Sequence, residues 1–116
     1  MDINSLVINA CITGNLEIVE QFYTKMKRGR GVNICMSYSI RCGHLDIVKF
    51  LYSKHKARYM SIDIDIAISK SYFDIVNFLY ENDDRFDNLP FEKSKTKEHI
   101  NKLRLRTSKC NCSIAS

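Results

Sequence analysis

Three groupings in this 116-residue chain have residue types that do chemistry. Cys110 and Cys112, one residue apart, have the makings of a metal or redox pair. Asp63 and Asp65 offer two carboxylates at close spacing, the raw material of a cation site or an acid–base pair. Lys93, Lys95, Lys97, Lys102, Arg104 and Arg106 form a run of cations suited to phosphates. Each has a plainer reading. A structural zinc ion takes about four ligands, and only His99 lies near the two cysteines in sequence. On a helix Asp63 and Asp65 point about 200° apart, so they do not share a cation, and a solvated first turn is expected. His55 and His99 have no nucleophile or acid beside them in sequence. No glycine-rich phosphate loop, Gly-x-Ser-x-Gly elbow or His-Glu-x-x-His pattern occurs. The chain is therefore expected to be no enzyme and to use no metal, cofactor or small-molecule substrate.

Whatever the chain binds, it must present on elements built from an ordinary composition, 45% apolar and 27% charged. A single domain with a tail is expected. "MDINSLVINACITGN" has no basic start and no unbroken apolar run, so no signal peptide is expected. No apolar run approaches the about 20 residues of a membrane span. Five cysteines without framework spacing read as free thiols in a reducing compartment, cytoplasm or nucleus, with Cys11, Cys35 and Cys42 as small buried apolar residues. Charge is uneven. Residues 1–90 hold 11 basic and 11 acidic residues, whereas residues 91–116 hold seven basic and two acidic ones, so the whole net charge of +5 lies in the last segment.

Three segments match one another: "GNLEIVEQFY" from Gly14, "GHLDIVKFLY" from Gly43 and "SYFDIVNFLY" from Ser71, spaced by 29 and 28 residues. Each has an acidic residue at its fourth position (Glu17, Asp46, Asp74), then Ile-Val, and ends in Tyr (Tyr23, Tyr52, Tyr80). Self-similarity at this period marks a solenoid of helical units. Leu45, Val48, Leu51 and Tyr52 form one apolar stripe of a helix, with Asp46 in the first turn, where the helix dipole favours an anion. Gly14 and Gly43 suit the left-handed residue that ends a preceding helix, expected at 5–13 and 33–42. "SIDIDIAISK" alternates like a strand, yet it fills the first-helix slot of the third unit and has no similar run to pair with. The register predicts a helix over 61–70, N-capped by Ser61.

These residues resemble ankyrin repeats, whose pattern is T-P-L-H-x-A-A-x-x-G-H-x-E-I-V-x-x-L-L. "SLVINACITGNLEIVEQFY" matches through Ser5, Ala10, Gly14, Glu17, Ile18 and Val19; the second unit matches in "GHLDIVKFL"; the third keeps Ala67, Asp74, Ile75 and Val76 but has Ser71-Tyr72 for Gly-His. The likeness covers roughly residues 2–82. "GHLDIVKFLYSK" looks especially like the shortened repeats of giant amoeba-infecting DNA viruses and of amoebae. The units fall short of the family's about 33 residues. The connectors, "KRGRGVN" and "SKHKARYM", are therefore expected as plain loops that shift binding onto the first helices. The resemblance implies an all-α ankyrin-like solenoid of about three helix-turn-helix repeats (2–30, 31–59, 60–87, within a domain 1–88). It implies a non-catalytic protein–protein interaction role, with a host protein as partner if the viral likeness holds. It places in His44 a histidine that hydrogen-bonds between units. It also points to the residues before the Gly-His pair as partner contacts. Thr13, Arg41 and Lys70 stand there, and with Arg28 and Arg30 of the first connector they would give a mildly basic concave face.

The segment from residue 89 to residue 107 matches no fourth unit. Pro90 fits a first helical turn, and Ile100 and Leu103 share a face, so a basic amphipathic capping helix is expected from about 91 to 106, followed by a mobile tail over 108–116. The alternative reading makes this segment a nucleic-acid arm, with Lys93, Lys95, Lys97, Lys102, Arg104 and Arg106 as phosphate contacts. Neither reading involves a membrane.

Overall fold

The structure, a computed structural model, describes residues 3–25, 30–91 and 93–115. The described chain is helical and contains no strand. Seven α-helices follow one another: α1 (Ile3–Thr13), α2 (Leu16–Phe22), α3 (Arg30–Cys42), α4 (Leu45–His55), α5 (Ser61–Ser69), α6 (Phe73–Asn82) and α7 (Ser94–Ala115). Short 3-10 turns follow α2 at Tyr23–Lys25 and α6 at Phe86–Asn88.

The first six helices form three hairpins, α1–α2, α3–α4 and α5–α6, and three matching turns explain why. In each, an amide reaches back five residues: Asn15 N to Ala10 O at 2.8 Å, His44 N to Ser39 O at 3.0 Å, Tyr72 N to Ala67 O at 2.8 Å. That bond requires a left-handed residue one position earlier. Gly14 (φ 88°), Gly43 (φ 82°) and Ser71 (φ 67°) supply it. The glycines have a second reason. A Cβ on Gly14 would lie 2.7 Å from the His44 ring, and one on Gly43 would lie 2.8 Å from the Tyr72 ring. Ser71 has no third hairpin's successor pressing on it, and there a side chain stands exposed.

The hairpins stack in sequence, α1 on α3 on α5 and α2 on α4 on α6. Between the layers lies one core: Val7, Cys11, Val19, Met36, Ile40, Ile47, Val48, Leu51, Ile64, Ile75, Val76 and Leu79, all essentially without solvent contact. Sequence-equivalent tyrosines meet the next element edge-on: Tyr23 on Phe50 (4.8 Å), Tyr52 on Phe78 (5.9 Å), Tyr80 on Phe86 (5.5 Å). Hydrogen bonds add to the stack. The His44 Nε2 lies 2.9 Å from Ile12 O, and the Tyr52 hydroxyl donates to Asn82 O at 2.8 Å.

Helix α7 packs on α5 and buries Thr96, Ile100 and Leu103. The structure corrects several sequence expectations. Pro90 precedes the helix instead of opening it, because the chain first makes the Phe86–Asn88 turn that buries Phe86, and α7 starts only at Ser94. The helix then runs to Ala115, past the start of the expected tail. Ser61 is not the N-cap of α5; Met60 is, and its amide donates to Asp63 Oδ2 at 2.9 Å. The connectors are shorter than expected, since α3 begins at Arg30 and α4 reaches His55, ended by left-handed Lys56 (φ 46°). Cys11 and Cys35 are fully buried, whereas Cys42 is only half-buried.

Candidate functional site: a groove between α3 and the α4–α5 connector

Helix α3 carries Asn33, Ile34, Ser37, Tyr38 and Arg41 on one face. The connector after α4 runs alongside, and its Arg58, Tyr59 and Met60 form the facing wall. The result is an open groove of about 550 Å³. The connector is held there by a backbone bond, Arg58 N to Asn33 Oδ1 at 2.8 Å. Its wall stays exposed because Ala57 and Tyr59 point inward, leaving Arg58 and Met60 outward. Three large apolar side chains consequently face solvent together: Ile34 (37% exposed), Tyr38 (37%) and Met60 (64%). Apolar surface gathered around a concavity and flanked by polar groups is the composition of a binding surface.

Beneath the groove lies a charge pair that the sequence reading placed in solvent. Asp63 is fully buried, and its carboxylate accepts from Ser37 Oγ (2.8 Å), Arg41 Nε (2.7 Å) and Met60 N (2.9 Å). Asp65 is buried as well, on the opposite side of α5, where the Thr96 hydroxyl donates to it. The expected first-turn solvation fails for both, because α3 and α7 cover the two sides of α5. The expected divergence of the two carboxylates holds, and each has its own partner. Among the described residues no group of histidines, cysteines and acids has the makings of a metal site. Cys110 and Cys112 have side chains outside the described set.

Of the expected partner contacts, Arg41 lines the groove and Lys70 adjoins it, its Nζ donating to Arg41 O at 3.2 Å. Thr13 is exposed but returns its hydroxyl to Asn9 O at 2.9 Å, within its own helix. Arg28 and the side chain of Arg30 lie outside the described residues. The sequence reading missed Ile34, Tyr38, Arg58 and Met60. A signal existed in "ARYM", two large side chains and a cation in a connector too short to hide them all.

On the far side of Tyr59 sits a second buried charge. Asp83 accepts from the Arg85 amide and Nε, both at 2.9 Å, and Arg85 Nη2 also reaches Lys56 O at 3.1 Å. Burial opposes ionisation of Asp83, but the Arg85 hydrogen bonds outweigh it and hold the carboxyl below its ordinary range. Burial first, and then the Asp83 carboxylate, push the Tyr59 phenol above its ordinary value. Both groups therefore keep their usual charge states at neutral pH, and the cluster pins the connector. In the α1–α3 interface the Cys35 thiol is pushed up by its hydrogen bond with Cys11 and by burial, which keeps it an unreactive thiol.

The cations in and just before α7 lie on a different surface. Lys93, Lys95, Lys97, Lys102 and Arg104 are all exposed. Lys102 pairs with Glu98 (3.6 Å) and Arg104 with Asp87 (3.2 Å). The Arg106 side chain lies outside the described residues. Among the described residues no helix is long and apolar enough to cross a membrane. No protein-family model, curated protein or solved structure matches the chain.

Proposed function

We propose that the chain is an ankyrin-type solenoid of three shortened repeats that works as a non-catalytic protein-interaction module, with the groove between α3 and the α4–α5 connector as its binding surface. The observation that carries this reading is the joint exposure of Ile34, Tyr38 and Met60 around one concavity. Isolated exposed apolar residues need no explanation, but a cluster does. The repeated segments, the three equivalent left-handed turns and the His44 bond to the preceding hairpin support the family reading. The basic face of α7 supports the rival reading, a nucleic-acid arm, with a cluster of exposed cations.

Two variants separate the readings. Tyr38→Glu with Met60→Glu puts charge into the groove at exposed positions. Replacing Lys93, Lys95, Lys97, Lys102, Arg104 and Arg106 by Gln removes the charge of α7 and keeps its buried face. Affinity capture from cell lysate followed by mass spectrometry is expected to lose its specific proteins with the groove variant and keep them with the Gln variant. The reverse result, together with salt-dependent binding of DNA or RNA by wild type that the Gln variant loses, overturns the proposal.

A further inference from the structure

We infer that the groove takes an acidic peptide segment of the partner, seating an apolar side chain against Ile34, Tyr38 and Met60 and setting carboxylates on Arg41 and Arg58. This rests on the groove being the binding surface. The chemistry follows from which charges face the groove and which are already spent. Its described lining contains two guanidinium groups and no acidic side chain. The nearest carboxylate, Asp63, is buried beneath and saturated by Ser37, Arg41 and the Met60 amide. Arg41 gives its Nε to Asp63, at 2.7 Å, and its terminal nitrogens make no hydrogen bond or ion pair among the described residues. The guanidinium is therefore held in place before a ligand arrives, and its binding costs little side-chain entropy. Arg58 is exposed, with its backbone fixed by Asn33 and no side-chain ion pair among the described residues. Lys70 adds a third cation at the Arg41 end.

Arg58 and Lys70, with the outward edge of the Asp63-paired Arg41, disfavour a basic segment and complement an acidic one. The apolar wall decides between acidic partners. Covering Ile34, Tyr38 and Met60 rewards a ligand with aliphatic or aromatic side chains beside its carboxylates, which a sugar–phosphate backbone does not have. Arg41 and Arg58 stand on opposite walls, so carboxylates flanking the anchor meet both.

A phage-displayed library of short random peptides tests this with the full chain. Selection is expected to enrich sequences in which Asp or Glu flank a Leu, Ile, Phe or Tyr. The enriched peptide, labelled for fluorescence polarisation, is expected to bind more weakly as salt rises. It should weaken at least about tenfold in Arg58→Glu and in Tyr38→Glu. In Lys102→Glu, on α7, it should bind unchanged. Equal melting temperatures for the variants show that folding is intact. Enrichment of basic or uncharged apolar peptides that Tyr38→Glu still excludes overturns the acidic partner and leaves the groove reading standing. Failure to enrich any peptide, or peptides indifferent to both Tyr38→Glu and Arg58→Glu, overturns both. Self-association of the chain that Tyr38→Glu abolishes overturns the acidic partner and leaves the groove a protein-binding surface, whereas tight binding of a DNA oligonucleotide that Arg58→Glu abolishes overturns both.

Discussion

Helix α5 meets its two neighbours in different ways. Toward α3 it sends Asp63, which takes a charged partner in Arg41 and leaves an open groove above the pair. Toward α7 it sends Asp65, which takes the neutral hydroxyl of Thr96 in a contact closed by Ile100 and Leu103. The turns follow the same division. Gly43, in the turn of the second hairpin, is pressed by Tyr72 of the third, whereas Ser71, facing no further hairpin, carries a side chain at positive φ. A hairpin-on-hairpin junction fixes backbone positions tightly and leaves side chains free at its rim. The junction with α7 relaxes the turn and shuts the rim. Exposed apolar side chains gathered around a concavity stand on the α3 side, where the proposed binding surface lies, while Phe73 and Leu105 remain exposed singly on the α7 side.

The strongest way to break this contrast is to open the α7 side. Ile100→Asp with Leu103→Asp places two carboxylates where exposure is 2% and 5%. The expected loss is about 3–5 kcal/mol, bounded by the cost of undocking α7 from α5. Urea unfolding measures it, and new protease cleavage near Leu89 reports the undocking. The Gln variant of the cations in and just before α7 should stay within about 0.5 kcal/mol of wild type, because Lys93, Lys95, Lys97, Lys102 and Arg104 are all exposed. An equal loss in the two variants would mean that charge, and not apolar cover, holds α7 in place.

Next in size is the turn comparison. Gly43→Ala must carry a Cβ at φ 82° and displace the Tyr72 ring, which would lie 2.8 Å away. A cost of about 1–3 kcal/mol is expected, with Gly14→Ala, against His44, in the same range. Ser71→Ala changes neither the φ nor a close neighbour and should remain within about 0.5 kcal/mol. Ser71→Gly relieves the left-handed strain and should raise stability by about 0.5–1 kcal/mol. Thermal melts of the four variants rank them. If Gly43→Ala and Ser71→Ala melt together, the close approach of Tyr72 does not matter.

The helices and their pairing were legible from the repeated segments, and the alignment of Ser71 with Gly14 and Gly43 marked the third turn, because both follow from local spacing. The register even settled "SIDIDIAISK" as helix against its own alternation. What could not be read is what arrives from far along the chain. Asp63 looked like a first-turn anion because Ser37 and Arg41 are more than 20 positions away. Asp65 looked solvated because Thr96 is 31 positions away. The groove escaped notice for the same reason: Arg58 and Met60 matter only once Asn33 draws the connector against α3. Pro90 misled because it is a common opener of helices, and the burial of Phe86 made a turn the better use of the residues before it.

The smallest expected effect sharpens the α7 side further. The His99 ring stacks on Phe73 with centroids 4.7 Å apart and planes 19° apart. Its Nε2 is buried without a hydrogen-bond partner among the described residues. Burial first, and then the positive charge of Lys102, hold its pKa below the ordinary histidine value. The native state therefore favours the neutral ring more than the unfolded chain does. As pH falls through the unfolded value of about 6.5, the unfolded chain takes up a proton that the native state resists. Stability from this source is intact above that pH, declines below it, and levels off once pH passes the lowered native value. Asp83, whose carboxyl is also held low, contributes only in a more acid window, as pH falls below the ordinary carboxylate range of about 4. Between pH 7.5 and 5.5, wild type is expected to lose melting temperature and His99→Leu to lose less, with Phe73 still covered by an apolar side chain. Parallel melting curves for the two proteins across that range would show that His99 is solvated in the folded state.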